Sequence, residues 1–275
     1  MKKNWLYEKN VIITGAGSGF GKLLTKKLIN EYRCTVIGIG RTAQKLEKVR
    51  EEVGEKFSFC TFDVSIEQNW IDFAAYLTEN NILPDILINN AGVLPHFEKF
   101  ELCRTGAVEN TLAINFFASV YSFRHISPFL KKSNTPTVIN VSSSAALAEV
   151  VGTSAYSASK SALASFTKIL ALENPDMYVS LVMPGFSDTD IFRSQNTGDQ
   201  KQSSLIKKAC SNPNKIIDKL IKKLKKRKTR IVLGIDAHLM SFFGRLFPSL
   251  TNKAIRAVLK KSKLEVFSDV FPEKK

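Results

Sequence analysis

Short apolar runs alternate with longer amphipathic stretches along most of the chain. The longer stretches have helical spacing, as in Leu24, Leu28 and Ile29, which fall on one face of a helix. The apolar runs have the length of single β-strands and occupy residues 11–14, 35–39, 57–62, 86–88, 137–141, 179–182 and 230–233. This alternation predicts an α/β fold with a doubly wound parallel β-sheet and helices on both faces.

A glycine-rich turn joins the first predicted strand to the first predicted helix. It reads Gly15-Ala16-Gly17-Ser18-Gly19-Phe20-Gly21 and fits the pattern G-x-x-x-G-x-G, but not G-x-G-x-x-G. A helix N-terminus offers unpaired backbone N–H groups and a positive dipole end, so the junction predicts a site for the pyrophosphate of a dinucleotide. The glycines alone would also allow a tight turn with a purely structural role.

The end of the second predicted strand bears on the choice of dinucleotide. Such sites place an acid there for a ribose 2′-hydroxyl, or an arginine for a 2′-phosphate. Here Gly40-Arg41-Thr42 follow the strand, without a carboxylate. Arg41 offers a planar cation that can bind a phosphate through paired hydrogen bonds. The sequence therefore predicts NADP(H) in preference to NAD(H), with a solvated loop arginine as the alternative.

Tyr156 and Lys160 are spaced for one face of a helix, in Tyr156-Ser157-Ala158-Ser159-Lys160. A phenol has a reference pKa of about 10, so acid–base work near neutral pH needs a drop of roughly three units. An adjacent ammonium and the charge of an oxidised nicotinamide would lower the pKa in that direction. An isolated Y-x-x-x-K would more simply be a surface pair.

Three hydroxyl side chains follow a predicted buried strand. Residues 137–141 end in Ser142-Ser143-Ser144, at the carboxyl edge where open α/β sheets bind ligands. A hydroxyl in that place can polarise a carbonyl oxygen. Together with Tyr156 and Lys160, these serines predict hydride transfer between a nicotinamide and a carbonyl or alcohol.

Taken in order, the motifs between residues 11 and 189 resemble those of the short-chain dehydrogenase/reductase family. They are Thr14 with the glycine-rich turn, Asp63-Val64, Asn89-Asn90-Ala91-Gly92, Asn115, Ser143, Tyr156 with Lys160, and Pro184-Gly185 with Thr189. The resemblance implies a Rossmann-type sheet and an oxidoreductase acting on CH–OH and C=O groups. One departure is Ser187, where the family usually carries an apolar residue.

The resemblance also implies individual roles. Tyr156 would be the proton donor and acceptor, and Ser143 would steady the substrate oxygen. Lys160 would bind the nicotinamide ribose and lower the tyrosine pKa, while Asn115 would hold a water that relays protons to Lys160. The implied cofactor contacts are Thr14, Gly15, Ser18, Gly19, Phe20, Gly21, Arg41, Asp63, Val64, Asn90, Ala91, Gly92, Tyr156, Lys160, Pro184, Gly185 and Thr189. For Asp63 and Asn90, polarity that merely forms a turn is the alternative.

Positive charge is concentrated in one segment. The formal net charge is +15, and residues 201–230 hold twelve Lys or Arg against the single acid Asp218. Residues 214–228 predict an amphipathic helix with a lysine-rich outer face. Because the cations lack interleaved aromatic side chains, nucleic acid is not an expected partner.

The C-terminal part is strongly apolar. Large apolar side chains crowd the segment before Pro248: Leu239, Met240, Phe242, Phe243, Leu246 and Phe247. We assign residues 1–234 to a dinucleotide-binding and catalytic domain, and residues 235–275 to a helical extension packed on that domain, a partner subunit or a membrane surface. The expected partner is a second copy, in a homodimer or homotetramer, and a peripheral membrane contact through the basic helix and the apolar tail is the alternative.

Cysteine spacing and the N-terminus predict a reducing compartment. Cys34, Cys60, Cys103 and Cys210 lie far apart, which predicts four buried, reduced thiols and neither disulfides nor a metal site. Residues 1–10 lack a signal-peptide pattern, so a cytoplasmic protein is expected.

The substrate is expected to be a small carbonyl or alcohol compound. A bulky apolar one, such as a steroid, retinoid or fatty-acyl ketone, is the hypothesis, because residues 186–208 and the apolar tail would shape the pocket. A non-catalytic sensor or scaffold that binds NADP(H) is the alternative from another class of protein.

Overall fold

A single parallel sheet organises the chain. The computed structural model describes residues 4–187 and 211–272, and the strand order in the sheet is β3-β2-β1-β4-β5-β6-β7. The strands are β1 (Asn10–Thr14), β2 (Thr35–Gly40), β3 (Phe57–Thr61), β4 (Ile86–Asn89), β5 (Thr137–Val141), β6 (Tyr178–Pro184) and β7 (Arg230–Leu233). Every strand predicted from the sequence is present, and the doubly wound Rossmann-type sheet is confirmed.

Helices follow the strands and cover both faces of the sheet. Within the described residues they are α1 (Gly19–Tyr32), α2 (Ala43–Val53), α3 (Glu67–Glu79), α4 (Ala107–Leu112), α5 (Ala118–Leu130), α6 (Ser154–Glu173), α7 (Pro213–Lys225), α8 (Ile235–Leu246) and α9 (Pro248–Ser262). The basic helix predicted at residues 214–228 is α7, which ends earlier, at Lys225. Among the described residues, no helix has both the length and the apolar character needed to cross a bilayer.

Alternate residues of each strand pack on opposite faces. In β1, Val11 and Ile13 contribute to one apolar cluster together with α1, α2 and α7. Ile12 lies between them in sequence and contributes to a second cluster with α3 and α5. Side chains of a strand alternate between faces, so a run that is apolar at every position is buried on both sides.

The strand order reverses beside β1, which pairs with β2 on one side and with β4 on the other. Ligands of open α/β sheets bind outside the carboxyl ends of the strands at such a reversal. The glycine-rich turn after β1 and the Asn90-Ala91-Gly92 segment after β4 both lie at this place. The topology therefore brings two of the motifs together, although 75 residues separate Gly15 from Asn90.

The residues after β7 pack on the sheet domain, and one apolar cluster makes several of these contacts. Met240 of α8 and the buried Val266, Phe267 and Val270 contact Phe97 and its neighbours. The rings of Phe97 and Phe267 meet edge to face, with centroids 4.9 Å apart. This end of the chain is thus part of the wall around the sheet's carboxyl edge.

The expectation of four buried thiols is wrong for two of them. Cys34 is buried, but Cys60 and Cys103 are only half-buried. Cys60 lies one residue before the end of β3 and packs at the edge of an apolar cluster, and Cys103 follows a short surface turn, so neither is fully enclosed. Cys210 is outside the described residues.

Candidate active site

The glycine-rich turn forms a cradle of backbone at the start of α1. Gly15 and Gly19 have φ of 69° and 48°, a left-handed conformation that side chains other than glycine rarely adopt. At Gly21 an added Cβ would lie 2.1 Å from the carbonyl oxygen of Gly15. Ser18 precedes the helix in an extended conformation, and its side chain makes no capping hydrogen bond. The cradle fits the pyrophosphate of a dinucleotide, which needs close backbone approach at a helix N-terminus.

Thr14 and Asn90 fasten this cradle to the end of β4. The hydroxyl of Thr14 accepts hydrogen bonds from the backbone N–H groups of Asn90, at 2.9 Å, and Ala91, at 3.0 Å. In return, Asn90 Nδ2 donates to the carbonyl oxygen of Thr14 at 3.0 Å. Both side chains are engaged within the protein, and the amide of Asn90 joins the ends of β1 and β4 rather than forming a turn.

A second groove extends from the glycine-rich turn towards β2 and β3. Its lining includes Arg41, Asp63 and Val64, together with Lys45 of α2. Arg41 is 61% exposed, and its Nη1 lies 3.9 Å from Asp63 Oδ2. Lys45 is a functional candidate that the sequence analysis missed, although its place in the first turn of α2, close to Arg41, is a signal that could have found it.

Asp63 forms a turn as well as lining the groove. Its Oδ1 accepts hydrogen bonds from the backbone N–H of Ser65 at 2.9 Å and from its hydroxyl at 2.6 Å. Burial alone would raise the pKa of Asp63, but the bonds from Ser65 and the charge of Arg41 together hold it below its usual value. The carboxylate therefore stays charged beside Arg41.

A cavity of about 990 Å³, including its open mouth, lies beside the turn at the carboxyl edge of the sheet. It collects residues from motifs far apart in sequence. Those predicted from the sequence are Gly15, Ser18, Gly19, Phe20, Asn90, Ala91, Gly92, Ser143, Tyr156, Lys160, Pro184 and Gly185. Thr14 and Asn115 lie behind this lining, and Thr189 is outside the described residues.

Tyr156 and Lys160 face the cavity from α6. The Nζ atom of Lys160 lies 5.8 Å from the centre of the Tyr156 ring. It donates a hydrogen bond to the carbonyl oxygen of Val141, at the end of β5, at 3.0 Å. Lys160 is only 4% exposed, and burial lowers its pKa to about 8. The side chain is therefore held rigidly and gives up its proton more readily than a surface lysine.

The predicted drop in the tyrosine pKa is wrong for the chain by itself. Burial raises the pKa of Tyr156, and the hydrogen bond with Ser143 offsets only part of this rise. The ammonium of Lys160 is directed to Val141, and desolvation opposes a phenolate in this setting. The expected drop in the Tyr156 pKa also relied on the positive charge of an oxidised nicotinamide. That charge belongs to the cofactor and not to the chain.

Ser143 begins a short helical turn, Ser144–Ala146, and its hydroxyl accepts a hydrogen bond from the backbone N–H of Ala145 at 3.2 Å. The neighbouring Ser142 instead donates to the carbonyl oxygen of Lys160 at 2.8 Å. The two hydroxyls thus have different places: Ser143 pairs with Tyr156 in the cavity, while Ser142 secures α6 to the end of β5.

Asn115 lies in a π-helical turn, Ala113–Phe117, between α4 and α5. Such turns are rare in proteins overall, but those that occur are often found at functional sites. Its Oδ1 accepts from the backbone N–H of Val93 at 2.8 Å, and its Nδ2 donates to the carbonyl oxygen of Val93 at 2.9 Å. Nδ2 also donates to Ser159 Oγ at 3.0 Å. The amide therefore connects the segment after β4 to the helix of Tyr156 and Lys160.

Asp236, in the first turn of α8, is a second candidate that the sequence analysis missed. Its Oδ2 accepts a hydrogen bond from the backbone N–H of Phe186 at 2.7 Å. Gly185 N–H donates to the carbonyl oxygen of Leu233 at 2.7 Å. These two bonds fix the Pro184-Gly185-Phe186 segment that lines the cavity. The contact joins residues 50 positions apart, and only the glycines on either side hint at it.

Comparisons with known proteins show which family the chain belongs to. The profile described as "short chain dehydrogenase" matches residues 9–200. 11-beta-hydroxysteroid dehydrogenase 1A of Arabidopsis thaliana is 35% identical over 197 residues, covering 68% of this chain and 54% of that protein. 3-ketodihydrosphingosine reductase of Bos taurus is 26% identical over 245 residues, covering 84% and 73%. The chain thus spans about half the length of the Arabidopsis relative.

Solved structures share the fold at low sequence identity. A short chain dehydrogenase from Burkholderia cenocepacia, in complex with NADP, has a TM-score of 0.77 at 22% identity, covering 91% of this chain and 98% of that one. A short chain dehydrogenase/reductase from Burkholderia phymatum, in complex with NAD, has a TM-score of 0.79 at 19% identity, covering 90% and 96%. The fold similarity therefore does not choose between the two dinucleotides. The profile match extends over most of the chain, and this protein belongs to the short-chain dehydrogenase family.

Proposed function

We propose that the protein is an NADP(H)-dependent oxidoreductase that transfers hydride between the nicotinamide and a carbonyl compound or secondary alcohol. One observation carries the proposal: Tyr156, Ser143 and Lys160 line the same cavity as the glycine-rich turn. A phenol, a hydroxyl and a buried ammonium next to a dinucleotide cradle are the groups that carbonyl reduction needs.

The side chains divide the work at the substrate oxygen. The bound cofactor supplies or accepts the hydride, and the chain manages the proton and the charge. In reduction, Tyr156 donates its phenolic proton to the substrate oxygen, and Ser143 donates a hydrogen bond to the same atom. Because its pKa is raised, the phenol is fully protonated near neutral pH, the form that reduction requires. In oxidation the phenol accepts the proton.

Lys160 acts through its charge and its position. With a pKa of about 8, it is protonated at neutral pH and stabilises the phenolate that forms when Tyr156 gives up its proton. Asn115 is a positioning residue in this proposal, because its amide joins Val93 to Ser159, the residue next to Lys160. A water held near Asn115 that relays protons to Lys160 is part of the same proposal.

Two cations support NADP(H). Arg41 and Lys45 line the groove that leads away from the glycine-rich turn, where the adenosine ribose of a dinucleotide would lie.

The preference for NADP(H) is tested by the ratio of kcat/KM with NADPH to that with NADH. Arg41→Ala should lower this ratio at least about tenfold, as expected for loss of a charge-assisted phosphate contact. Lys48→Ala, on α2 like Lys45 but outside the groove, should leave the ratio unchanged. An unchanged ratio in Arg41→Ala would contradict the assignment.

The rest of the cavity favours an apolar substrate. Leu94, Phe97, Val150 and Phe186 line it, and Lys160 is the one formally charged side chain among its described lining residues. The names of the relatives point to hydroxysteroid and ketodihydrosphingosine compounds. We therefore propose a bulky apolar ketone or secondary alcohol, of the steroid, retinoid or fatty-acyl class.

Removal of the phenol oxygen tests the catalytic assignment. Tyr156→Phe should lower kcat for NADPH-dependent ketone reduction by about 10²–10⁴-fold, the usual contribution of a general acid. NADPH affinity, followed by fluorescence titration, should stay within about threefold of wild type. Tyr76→Phe, which changes a half-exposed phenol on α3, is the control and should retain full activity.

A different result is expected if the protein is a non-catalytic sensor or scaffold that binds NADP(H). The wild-type protein would then bind NADPH but oxidise it with none of a panel of apolar ketones and aldehydes, and Tyr156→Phe would be indistinguishable from it. Either turnover that survives in Tyr156→Phe or a complete lack of turnover in the wild type contradicts the enzymatic proposal.

Organisation and location remain parts of the proposal. We retain a dinucleotide-binding and catalytic domain at residues 1–234 and an extension at residues 235–275, which contacts that domain through Phe97 and Phe267. The free thiols of Cys34, Cys60 and Cys103 support a reducing, cytoplasmic location. A homodimer or homotetramer is tested by light scattering of the full chain.

A further inference from the structure

Helix α8 has apolar side chains on two opposite sides. On its inner side, Ala237 and Met240 are buried against the sheet domain. Gly244 continues that side, and an added Cβ there would lie 2.5 Å from the carbonyl oxygen of Leu147. On the outer side, Ile235, Leu239, Phe242 and Leu246 follow the i, i+4, i+7, i+11 spacing of a single stripe, and all are exposed. We call these four residues the outer stripe.

The outer stripe continues into neighbouring exposed residues. Phe243 and Phe247 flank it, and Leu250 follows at the start of α9; each is exposed. A helix that packs on a domain needs one apolar side, and the inner side of α8 already serves that purpose. Contiguous exposed apolar patches on folded proteins mark sites of interaction with another protein or a membrane.

The charges beside the outer stripe favour an anionic partner. Residues 237–264 contain no Asp or Glu, and their cations are Arg245, Lys253, Arg256, Lys260, Lys261 and Lys263. Glu149, which reaches this region from another segment, is hydrogen-bonded to Asn252 of α9. A second copy joined by a twofold axis would bring the same cations to face one another without acids to pair them. A lipid surface with anionic head groups has the complementary charge.

The basic helix α7 adds cations next to α8. Arg230, which begins β7 after that helix, donates from Nη2 to Ser241 Oγ of α8 at 2.7 Å. Burial lowers the pKa of His238 on α8, and the charges of Lys223, Lys219 and Arg230 lower it further. Cations of α7 therefore lie close to the flank of α8, so apolar and basic surfaces adjoin.

From this arrangement we propose that the outer stripe of α8 docks on the surface of an anionic membrane, with the cations of α7, α8 and α9 around it at the head groups. An interfacial helix of this kind lies in the plane of the membrane, with its apolar side in the boundary between head groups and acyl chains. The proposed contact is peripheral, because the inner side of α8 stays packed on the sheet domain through Ala237 and Met240. It does not depend on the proposed redox activity.

Co-sedimentation of the full chain with vesicles tests the proposal. The vesicles are phosphatidylcholine alone, or phosphatidylcholine with about a third phosphatidylserine. We expect binding to the phosphatidylserine vesicles that weakens at least about tenfold in high salt, and at least about tenfold weaker binding to phosphatidylcholine alone. The variant Phe242→Ser with Leu246→Ser should bind the anionic vesicles at least about tenfold more weakly than wild type.

A matched control separates the stripe from exposed apolar side chains in general. Phe242 and Leu246 are 60% and 53% exposed, and Phe100 and Leu102, on a separate short turn, are 65% and 54% exposed. Phe100→Ser with Leu102→Ser should bind vesicles as wild type does. All variants should keep the wild-type circular dichroism spectrum, because the changed side chains are exposed.

Three outcomes would overturn the proposal. One is wild-type protein that stays in the supernatant with phosphatidylserine vesicles. Another is equal binding by the two double variants. The third is a wild-type dimer, measured by light scattering, that becomes a monomer in Phe242→Ser with Leu246→Ser, since the outer stripe would then be covered by a second copy of this chain.

Discussion

Gly185 has no room for a side chain, because an added Cβ would lie 2.2 Å from both carboxylate oxygens of Asp236. The same carboxylate accepts the backbone N–H of Phe186. Gly185→Ala must therefore move either the cavity segment or the start of α8. We expect a loss of about 1–3 kcal/mol in the free energy of unfolding, the usual cost of overpacking a closed site, measured by denaturant titration.

A second glycine supplies the control for this experiment. At Gly40 the nearest atom to an added Cβ is in Leu46 at 3.5 Å, an ordinary contact, so Gly40→Ala should change stability by less than about 1 kcal/mol. In a background that already carries Asp236→Ala, the further change Gly185→Ala should cost much less stability than it does in wild type, because the clashing oxygens are gone. Additive losses in the double variant would show that the two residues do not meet.

Lys160 makes the stability of the protein depend on pH in a definite direction. Its pKa in the folded chain is about 8, below the ordinary value of 10.5. Between these values the unfolded chain binds more protons, so this residue makes the free energy of unfolding rise with pH. Below pH 8 the full cost of burying the charge is present.

Lys160→Met removes this contribution. The free energy of unfolding of the variant, minus that of wild type, should be largest at pH 7 to 8. This difference should fall by up to about 3 kcal/mol as the pH rises towards 10.5. Denaturant titrations of both proteins at several pH values measure the shift. A difference that is constant with pH would mean that the ammonium is not desolvated.

At the scale of elements, a chain of buried polar side chains joins the sheet to helices on one face. Asn89 of β4 donates to Asn140 of β5 at 2.8 Å and accepts from Ser122 of α5 at 2.8 Å. Asn140 in turn donates to Thr167 of α6 at 2.9 Å. All four side chains are buried. The network aligns α6, which carries Tyr156 and Lys160, with the strands beside the cavity.

Asn140→Ala should be costly because it removes the buried acceptor of Asn89 Nδ2, while Thr167 keeps its bond to the carbonyl oxygen of Leu163. We expect a loss of about 1–3 kcal/mol in the free energy of unfolding, from one buried donor left unpaired. Asn80→Ala is the control, since Asn80 is exposed and bonds only within its own helix end. If both variants lose the same small amount, the buried network does not hold the elements together.

The strands were predictable because local pattern determines them, whereas several site features were not. A run such as Ile86-Leu87-Ile88 is apolar at consecutive positions because both faces of the sheet are covered there, and it forms most of β4. Tyr156 and Lys160 share a face because the helix period fixes it. The π-helical turn at Asn115 is different: its apolar spacing is that of an α-helix, and only the resemblance singled the residue out.

Contacts distant in sequence set the limit of that prediction. Asp236 meets Phe186 because β6 and β7 are neighbours whose ends coincide, a fact of sheet order that no local pattern contains. The rise in the Tyr156 pKa has the same origin, since burial of the phenol depends on segments from the whole chain.

At the scale of the whole molecule, the end of the chain completes the cavity. Phe97 and Val150 line the cavity, and both belong to the apolar cluster that includes Val266, Phe267 and Val270. An added Cβ at Gly152 would lie 2.5 Å from Val270, so the segment after Val150 also fits closely against the C-terminal residues. The extension therefore supports the wall that would contact an apolar substrate.

Phe267→Ala tests whether this long-range support matters. Removing a buried phenylalanine from a closed cluster should lower the free energy of unfolding by about 3–5 kcal/mol. Because Phe97 loses its edge-to-face partner, KM for an apolar ketone should rise severalfold while NADPH affinity changes little. Val258→Ala, an exposed change in α9, is the control and should alter neither quantity. An equal response of the two variants would mean that the C-terminal residues rest on the domain without shaping its cavity.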